Sequence, residues 1–505
     1  MRVAFLNPQG NFDPADSYLA QHPDFGGQLV YVKELALAMG ELGHQADIIT
    51  RQIQDPDWPE FSSPQDAYPQ EPSVRILRFP AGPERFLRKE LLWPYLGPDW
   101  VPNIIRFYDQ EGEYPDFFTA HYGDGGISAA LLKKGTGIPF SFTAHSLGAH
   151  KMDNLGVDRE NFPTLNSQYS FTTRLIAERT AMNHSLVNIT STTQERHKQY
   201  GHAAYHGAVD PADEHRFAVI PPGVNLATFD KGQTAKDEAE TVRYLREMLT
   251  RDILDDRLEL PCIVASSRLD SKKNHLGLLK AYGSNPVLQN KSNLVMLTSG
   301  LSNPLQEYPE ASATEKAVLD PLLEYINEQE LRGKIAMFSL EGHAQLGTAY
   351  RYFGQQRSIF ILPALHEPFG LAPLEAMAAG MPAVVTKFGG PSESMRDGKQ
   401  EYGVLIDPFD PEQISSNLLA LLADAKMWEK YARAGYSRVV SKYNWKKTAA
   451  AYLETLRQHQ AQKKTRDTLQ IHPYYSDPVL ENVIKIADLQ GMYREMKVKL
   501  DWFRS

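Results

Sequence analysis

The chain has 505 residues, of which 42% are hydrophobic and 23% charged, and this length and composition predict two or more globular domains with substantial cores. The formal net charge of −9 and the lack of a long basic run argue against nonspecific binding to nucleic acid or to an anionic membrane. The single cysteine, Cys262, excludes an internal disulfide and a multi-cysteine zinc site, and it fits a cytoplasmic location.

The first part of the chain alternates short apolar runs with a longer amphipathic one. RVAFLN (2–7) and ADIITR (46–51) have the length and apolar content of buried strands, and QLVYVKELALAMGELG (28–43) has helical spacing. The start has too few apolar residues for a signal peptide, and no run reaches membrane-spanning length. Three further strand candidates are FFTAHY, FSFTAH and LVNITST. This order predicts a parallel sheet with helices on both faces.

The alternation of short apolar runs with longer amphipathic segments resumes after Pro221-Pro222-Gly223. Neither a strand nor a helix continues easily through these three residues. The strand candidates beyond it are PCIVASSRLD, NLVMLTSG, KIAMFSL, SIFILPAL and PAVVTKFGG. We therefore predict an α/β protein with two doubly wound, Rossmann-like domains, 1–228 and 229–465, facing each other across a cleft. The segment 478–505 is predicted to be a helix that packs back on the first domain.

Polar or glycine clusters stand where six of the predicted strands end. They are Asn7-Pro8, His121–Asp124, His145–Gly148, Arg268–Asp270 with Lys272-Lys273, His366-Glu367 and Gly389-Gly390. A histidine in such a position is more often a hydrogen-bonded structural residue than a functional one. Six clusters together favour function, because ligands of parallel sheets bind beyond the carboxyl ends of the strands.

Gly26 and Gly27 stand immediately before the first predicted helix. Glycines let backbone N–H groups approach a ligand, and a helix N-terminus attracts negative charge. The spacing matches neither a dinucleotide-binding GxGxxG nor a Walker loop. A plain loop before a helix explains these glycines equally well.

The stretch SSRLDSKKN (266–274) places Arg268 and Lys273 five positions apart across a turn. Two cations suit a diphosphate, since arginine binds it through two nitrogens and lysine supplies a point charge. A solvated basic loop is the alternative. The position of Arg268 directly after an apolar strand favours the diphosphate site.

The stretch ALHEPFGLAPLEAMAAGMP (364–382) carries Glu367 before a predicted helix and Glu375 inside it. Free N–H groups around Gly370 and Leu371 can bind phosphate at the helix N-terminus. Side chains on a helix lean toward its N-terminus, so both carboxylates can point at the same place. A ligand with phosphate in the middle and hydroxyls at both ends, such as a sugar nucleotide, fits this pattern.

These motifs resemble a known family. The E-x7-E spacing with GLAPLEAMAAGMP and GGPSE behind it resembles the retaining GT-B glycosyltransferases of the sucrose synthase and glycogen synthase-like group. NPQGNF, HPDFGGQLVYVKELA, HYGDGG, TAHSLG and SSRLDSKKNH narrow the resemblance to the sucrose-phosphate synthase branch, over nearly the whole chain. The resemblance implies a soluble, cytoplasmic enzyme that takes a nucleotide sugar and a sugar phosphate.

The resemblance implies a role for each residue of the donor site. Arg268 and Lys273 would hold the diphosphate, and His145 would lie beside the transferred sugar. Glu367 would bind the sugar hydroxyls and Glu375 the ribose hydroxyls. The backbone contacts to the donor would come from Gly27, Phe369, Gly370 and Leu371. The catalytic group would be His145, Arg268, Lys273 and Glu367.

An acceptor phosphate needs cations, and the resemblance implies a second cluster in the first domain. Its cationic candidates are Lys89, Lys151, Arg174 and Arg179. The other acceptor contacts would come from Gly26, Gln28, Tyr122 and Ser146.

Two departures from the family pattern bear on the acceptor. The family often has two adjacent arginines where this chain has Thr173-Arg174, and residues 180–195 are similar to sucrose synthase, whose acceptor is unphosphorylated fructose. Lys89, Lys151 and the motif EPFG, where sucrose synthases usually have EAFG, favour a phosphorylated acceptor. The long amino-terminal regulatory region of sucrose synthases is also not expected in this chain.

The implied reaction transfers glucose from UDP-glucose, or from ADP-glucose, to fructose 6-phosphate with retention at the anomeric carbon, giving sucrose 6-phosphate. No carboxylate is an obvious nucleophile, so we expect front-face transfer, with Arg268 and Lys273 stabilising the leaving diphosphate. Domain closure is expected to exclude water. Because the cations replace a metal, no cofactor is expected, and the DPD motif at 55–57 is weak evidence for a metal site.

Three alternatives stay open. Two lie within the class: sucrose synthase, and mannosylfructose-phosphate synthase, which takes GDP-mannose. The third is a noncatalytic nucleotide-sugar sensor, which would bind UDP-glucose without turnover. A matrix of donors and acceptors separates them.

Overall fold

A computed structural model describes residues 1–18, 27–461 and 467–489. The chain divides into two compact units. The first is formed by Met1–Pro221 together with the segment from Thr448 onward, and the second by Pro222–Lys447.

The first unit is built on a sheet whose strands, in the described residues, follow the order β3-β4-β2-β1-β5-β6-β7-β8. All neighbours are parallel except β3 and β4, which are antiparallel. The strands are β1 Arg2–Leu6, β2 Gln45–Arg51, β3 Gln65–Tyr68, β4 Glu71–Phe79, β5 Phe117–His121, β6 Phe140–Thr143, β7 Val187–Thr190 and β8 Phe217–Val219. The helices are α1 Gly27–Glu41, α2 Trp93–Tyr95, α3 Val101–Glu111, α4 Tyr122–Thr136, α5 Gly148–Asn154, α6 Phe162–Tyr169 and α7 Phe171–His184.

The central strands of this sheet are buried on both faces. Every residue of β1 and of β5 is buried, which explains why these segments are mostly apolar and do not alternate between apolar and polar residues. Two glycines let helix α4 pack close to its neighbours: a Cβ on Gly125 would lie 2.5 Å from the Leu6 carbonyl oxygen, and one on Gly126 would lie 2.5 Å from the Ala181 Cβ. The HYGDGG motif is therefore in part a packing motif.

The second unit has a parallel sheet with the order β11-β10-β9-β12-β13-β16 among its described strands, and a separate two-stranded ribbon. The strands are β9 Cys262–Ser266, β10 Asn293–Thr298, β11 Ile335–Ser339, β12 Ile359–Leu362, β13 Ala383–Thr386, β14 Arg396–Asp397, β15 Gln400–Glu401 and β16 Val404–Ile406. The helices are α8 Leu226–Phe229, α9 Glu238–Asp252, α10 His275–Gly283, α11 Pro286–Lys291, α12 Ala313–Glu328, α13 Gly342–Gln355, α14 Leu371–Ala378, α15 Pro391–Ser394, α16 Pro411–Ala423 and α17 Ala425–Lys442.

Two apolar clusters cover the two faces of this second sheet. Along β9, Val264 belongs to one cluster and Ile263 and Ala265 to the other, because successive side chains of a strand point to opposite faces. The predicted doubly wound α/β architecture is confirmed in each unit.

The boundaries of the units differ from those expected. The predicted limit at 228 moves to 221, since Val224 N donates to the Tyr443 carbonyl at 2.9 Å and so belongs to the second unit. The predicted limit at 465 moves to 447, within the last helix, α18 Trp445–Gln460. The Tyr452 hydroxyl on that helix bonds to Thr119 and Ser141 of the first sheet, which is why the segment belongs there.

The predicted helix at 478–505 lies largely outside the described residues. At the described end of that segment, Leu489 is buried in the apolar core of the first unit. In the described part of the chain, no helix combines the length and the apolar content that a membrane crossing requires.

Strand β4 was missed by the sequence prediction because its apolar residues are interrupted by arginines. Both arginines find acidic partners in the folded chain: Arg75 pairs with Asp47 at 2.7 Å, and the buried Arg78 pairs with Asp66. The arginines that interrupt the apolar pattern of β4 are thus paired with carboxylates in the folded chain.

Candidate functional site

An ion pair stands at the ends of two neighbouring strands of the second unit. Lys273 Nζ, on the turn after β9, lies 2.7 Å from Glu367 Oε2, on the loop after β12. Their side chains keep 26% and 12% of their surface exposed, so the pair can still be reached by a ligand. The structure brings these two predicted residues together.

The two loops that carry this pair are bonded to each other through their backbones. Leu365 N donates to the Lys272 carbonyl at 2.9 Å, and the Asn274 side-chain amide donates to the Pro363 carbonyl at 3.2 Å. Asn274 adopts the left-handed conformation, with φ at 58°, and its side chain also caps helix α10. Lys273 is therefore held opposite Glu367 by the turn itself.

A third loop, after β13, closes against Glu367. Gly390 N donates to the Glu367 carbonyl at 3.0 Å, and a Cβ on Gly389 would lie 2.0 Å from the same oxygen. Gly389 also has φ at +98°, a conformation that side chains disfavour. The two glycines of the GGPSE motif let this loop approach the loop of Glu367.

The predicted turn before helix α14 is present. Gly370 is its N-cap residue with φ at 91°, and no side chain caps the helix start, so the first N–H groups remain available. A Cβ on Gly370 would lie 3.4 Å from the Glu367 Cγ. Phe369 and Leu371 are partly buried on either side of this glycine.

Glu375 lies on the first turns of α14 and differs from Glu367 in having no bonded partner. Among the described residues no group forms a hydrogen bond or ion pair with its carboxylate. Burial raises the pKa of Glu375 to about 7, although part of the residue is exposed. Burial, followed by the nearby Glu375 carboxylate, raises the pKa of Tyr350.

Arg268 follows strand β9, as predicted, and its side chain is exposed. It forms no hydrogen bond or ion pair with any part of the chain that the structure describes. An exposed guanidinium on the loop that also carries Lys273 is free to bind an anion.

In the first unit, Arg174 is bound to neighbouring groups of the protein. Its Nε donates to Glu178 Oε1 at 2.7 Å and its Nη2 to the Ser146 carbonyl at 2.6 Å. The same Glu178 accepts Gly148 N at 3.0 Å, and its second oxygen accepts the Tyr205 hydroxyl at 2.5 Å. Arg174 and Glu178 thus hold the loop that follows β6, which also contains His145.

Arg174 also connects the other predicted acceptor residues. Its guanidinium carbon lies 4.5 Å from the ring centre of Tyr122. Lys151 Nζ lies 3.7 Å from the ring centre of Tyr169, and burial, Arg174 and Lys89 together lower the pKa of Lys151 to about 8. Lys89, Lys151 and Arg174 therefore form one cluster of positive charge.

Arg179 does not belong to that cluster. It has no exposed surface, and its Nη1 donates to the Ala204 carbonyl at 2.6 Å. We correct the predicted acceptor role of Arg179 to a structural one, because a buried guanidinium that binds the backbone cannot reach a ligand.

The glycine-rich stretch before α1 can be placed only in part. Gly26 lies outside the described residues. Gly27 is exposed at the first described position of α1, and the buried Gln28 donates to Asn7 Oδ1 at a long 3.5 Å. Gln28 therefore lies next to the end of β1.

His145 follows β6 with φ at 56°, a strained conformation for a residue with a side chain. Its Nε2 lies 2.8 Å from Nδ1 of His121, which is fully buried at the end of β5. The ring of Tyr31 meets His145 edge-on, with 4.9 Å between ring centres. Burial lowers the pKa of His145 to about 3, so this histidine is neutral at ordinary pH.

Sequence reasoning missed several groups around the two sites. Glu178 holds the His145 loop, and His121 bonds His145, yet neither was given a role. Asp124 is buried beside the cation cluster, and burial raises its pKa to about 7. The HYGDGG motif was a usable signal for His121 and Asp124, whereas nothing in the sequence marked Glu178.

The two sites have complementary chemistry. The second unit offers cations, a free helix N-terminus and two carboxylates, a set that suits phosphate and hydroxyl groups. The first unit offers a cation cluster beside a neutral histidine, which suits a phosphorylated polyol. Within the described ranges, no group of three or more His, Cys, Asp or Glu side chains is arranged to hold a metal ion.

Comparison with known proteins agrees with this division. Residues 26–223 match the family described as "Glycosyl transferase 4-like domain", and residues 250–438 match "Glycosyl transferases group 1". Among solved structures, a sucrose-phosphate synthase from Thermosynechococcus elongatus aligns with a TM-score of 0.66 and 23% identity over 91% of this chain and 99% of that one. HepE from Anabaena, in complex with UDP, aligns with a TM-score of 0.60 and 15% identity over 91% and 100%.

The protein is a glycosyltransferase with the GT-B fold. A probable sucrose-phosphate synthase from Thermosipho melanesiensis is 41% identical over 458 residues, which cover 90% of this chain and 96% of the relative. The chain belongs to the sucrose-phosphate synthase family and is a hexosyltransferase. It also matches longer plant relatives at 32% identity and spans about half of their length, 47%.

Proposed function

We propose that this enzyme transfers glucose from UDP-glucose, with ADP-glucose as the alternative donor, to fructose 6-phosphate in the cytoplasm. The products are sucrose 6-phosphate and the nucleoside diphosphate. The single observation that carries the proposal is the cluster of Lys89, Lys151 and Arg174, in which burial and then the neighbouring positive charges lower the pKa of Lys151. Unfavourable proximity of like charges is expected where a phosphate group binds.

Lys89 and Lys151 are assigned the acceptor phosphate. Arg174 contributes charge to the cluster, but two of its nitrogens are already bound to Glu178 and Ser146. This division explains why one arginine suffices where the family often has two: the remaining arginine holds the loop, and the lysines supply the phosphate contacts.

The donor is assigned to the second unit. Arg268 and Lys273 would bind its diphosphate together with the N–H groups at the start of α14. Glu367 would accept hydrogen bonds from sugar hydroxyls while it remains paired with Lys273. The unpaired Glu375 would accept hydrogen bonds from the ribose hydroxyls. The UDP bound to HepE, a protein of the same fold, supports a uridine donor.

Transfer is proposed to proceed on the face of the sugar from which the diphosphate departs, with retention of configuration. The bond between the anomeric carbon and the diphosphate oxygen breaks, and the acceptor hydroxyl oxygen bonds to that carbon. The acceptor proton passes to the departing phosphate oxygen. Lys273 and Arg268 stabilise the negative charge that develops on the diphosphate, the step in which fixed cations contribute most.

A matrix of donors and acceptors tests this function. Purified enzyme is offered UDP-glucose, ADP-glucose or GDP-mannose with fructose or fructose 6-phosphate, and nucleotide release is measured. We expect turnover with a glucosyl nucleotide and fructose 6-phosphate, and an α-glucosidic product by NMR. Preference for free fructose would indicate a sucrose synthase, and preference for GDP-mannose a mannosylfructose-phosphate synthase. Binding of UDP-glucose without turnover would indicate a sensor.

A further inference from the structure

A chain of buried hydrogen bonds runs through the first unit from helix α18 to His145. The Tyr452 hydroxyl lies 2.7 Å from Thr119 Oγ1, which lies 2.9 Å from His121 Nε2. His121 Nδ1 in turn lies 2.8 Å from His145 Nε2. Thr119, His121 and Tyr452 have no exposed surface, so water cannot replace any partner in this chain.

The direction in which the protons point is decided at Tyr452. The Ser141 hydroxyl lies 2.9 Å from the Tyr452 oxygen, and the Thr143 hydroxyl lies 3.5 Å from it. Neither hydroxyl has another hydrogen-bond partner within the part of the chain that the structure describes, and both are buried. Each can satisfy its own proton only by donating to Tyr452.

The rest of the chain follows from this constraint. Because the Tyr452 oxygen accepts from Ser141, its own proton must be donated to Thr119. Thr119 then donates to His121 Nε2, and the single proton of neutral His121 lies on Nδ1 and is donated to His145 Nε2. In the opposite direction Tyr452 would donate to Ser141 or Thr143, and the proton of that hydroxyl would be buried without an acceptor, which costs free energy.

We propose that Tyr452, Thr119 and His121 are positioning residues that keep the proton of His145 on Nδ1. Because Nε2 of His145 accepts the proton of His121, the Nδ1–H group of His145 is left as a hydrogen-bond donor. Its ligand is then an oxygen acceptor, such as a hydroxyl of the hexose. His145 then binds and orients sugar without abstracting a proton. The sugar-binding role of His145 rests on the proposed function of the enzyme. The position of the His145 proton is independent of that function.

The lowered pKa of His145 is consistent with this assignment. A histidine with a pKa of about 3 is neutral during turnover and carries a single ring proton. Which nitrogen holds that proton is then decided by its neighbours alone. Tyr452 lies on the helix that returns to the first unit, so a residue far along the chain decides the tautomer of His145.

Nitrogen NMR of the full-length enzyme labelled with [15N]histidine tests the proton position directly. Protonated and unprotonated ring nitrogens have well-separated shifts, and His145→Asn identifies the His145 signals among the 15 histidines of the chain. We expect protonated Nδ1 and unprotonated Nε2 in the unliganded enzyme. A protonated Nε2 would overturn the proposal, whatever reaction the enzyme catalyses. The spectrum requires no turnover, so an enzyme that fails every donor and acceptor would contradict the proposed function without affecting this result.

Two matched variants test the relay. Thr119→Val removes the donor to His121 at nearly constant volume, and Thr119→Ser keeps it. We expect Thr119→Val to shift the His145 signals toward a mixture of tautomers and to lower kcat/KM for the donor by about tenfold, as expected for the loss of one hydrogen bond. Thr119→Ser should retain the wild-type tautomer and kcat/KM within about twofold of wild type.

Thr119→Ala provides a second test in case Thr119→Val fails to fold. Alanine also lacks the hydroxyl that donates to His121 Nε2, so the same mixture of tautomers is expected. If either folded variant, Thr119→Val or Thr119→Ala, keeps a wild-type His145 spectrum and wild-type kcat/KM, the relay does not control His145 and the proposal is wrong.

Discussion

The two candidate sites, one in each unit, are built in opposite ways. In the second unit, Lys273 and Glu367 form a partly exposed pair on loops that directly follow parallel strands. In the first unit, Arg174 is bonded to Glu178 and both are buried, while the buried His121 is bonded to the partly exposed His145. The second unit keeps its charges available for a ligand, whereas the first unit uses many of its polar groups to shape one loop. Substitutions should therefore affect binding and chemistry in the second unit, and loop geometry as well in the first.

The largest effect is expected for Lys273→Ala. Removing a fixed cation that stabilises developing charge should lower kcat by about 100- to 1000-fold. The matched control is Lys272→Ala, since the neighbouring lysine is exposed and forms no side-chain bond in the described chain. Steady-state kinetics with saturating substrates measure both. Near wild-type turnover for Lys273→Ala would remove the leaving-group role from the second unit.

Lys151→Ala should separate the acceptor site from the donor site. Loss of a charged contact to phosphate should raise KM for fructose 6-phosphate by about 10- to 100-fold, with KM for UDP-glucose little changed. Lys134→Ala, an exposed lysine on α4, is the control. An unchanged KM for fructose 6-phosphate would show that the cation cluster does not bind the acceptor.

Glu375 is the exception in the second unit, because it is an unpaired carboxylate whose pKa is raised by burial from 4.5 to about 7. Between these values the native state keeps a proton that the unfolded state has lost, so the wild type is destabilised as pH rises. We expect Glu375→Gln to gain Tm relative to wild type from pH 5 to pH 7 and to hold that gain above it. Thermal unfolding at several pH values measures this.

The control for this pH dependence is Glu324→Gln, at an exposed glutamate on α12. Its Tm difference from wild type should stay nearly constant over the same range. A constant difference for Glu375→Gln as well would show that the Glu375 carboxylate is solvated like an ordinary surface group.

The smallest effect is expected for metal removal. We propose that Arg268, Lys273 and the N-terminus of α14 neutralise the diphosphate without a metal. Treatment with EDTA followed by assay in metal-free buffer should leave kcat within about twofold of the untreated enzyme. If EDTA abolishes activity and Mg²⁺ restores it, the diphosphate site of the second unit requires a metal ion in addition to these groups.

The placement of the candidate site residues in the second unit was predictable because these residues are close to strand ends in the sequence. Arg268 and Lys273 follow β9 directly, and Glu367, Gly370 and Glu375 follow β12. Apolar runs locate the strands, and the parallel fold brings their ends to one edge. The pairing of Lys273 with Glu367, 94 positions apart, was not predictable, because it depends on β9 and β12 being neighbours in the sheet.

The first unit was predicted less well, for a physical reason. Arg174 and Arg179 lie on one helix and look alike in the sequence. One joins the cation cluster and the other binds the Ala204 carbonyl in the core. Whether a buried arginine meets a ligand or a backbone carbonyl depends on the surrounding elements, which local pattern does not describe.

The sequence by itself determined the two α/β units, most strands of both sheets, and the polar residues that follow the strand ends. Periodicity and strand-end motifs carry that information because they are local. The tertiary structure decided which charges are free and which are satisfied. It also decided the division of the chain at 221 and 447 and the link from Tyr452 to His145. These features depend on contacts between residues distant in the chain, and hydrogen bonding among buried groups is resolved only when those residues meet.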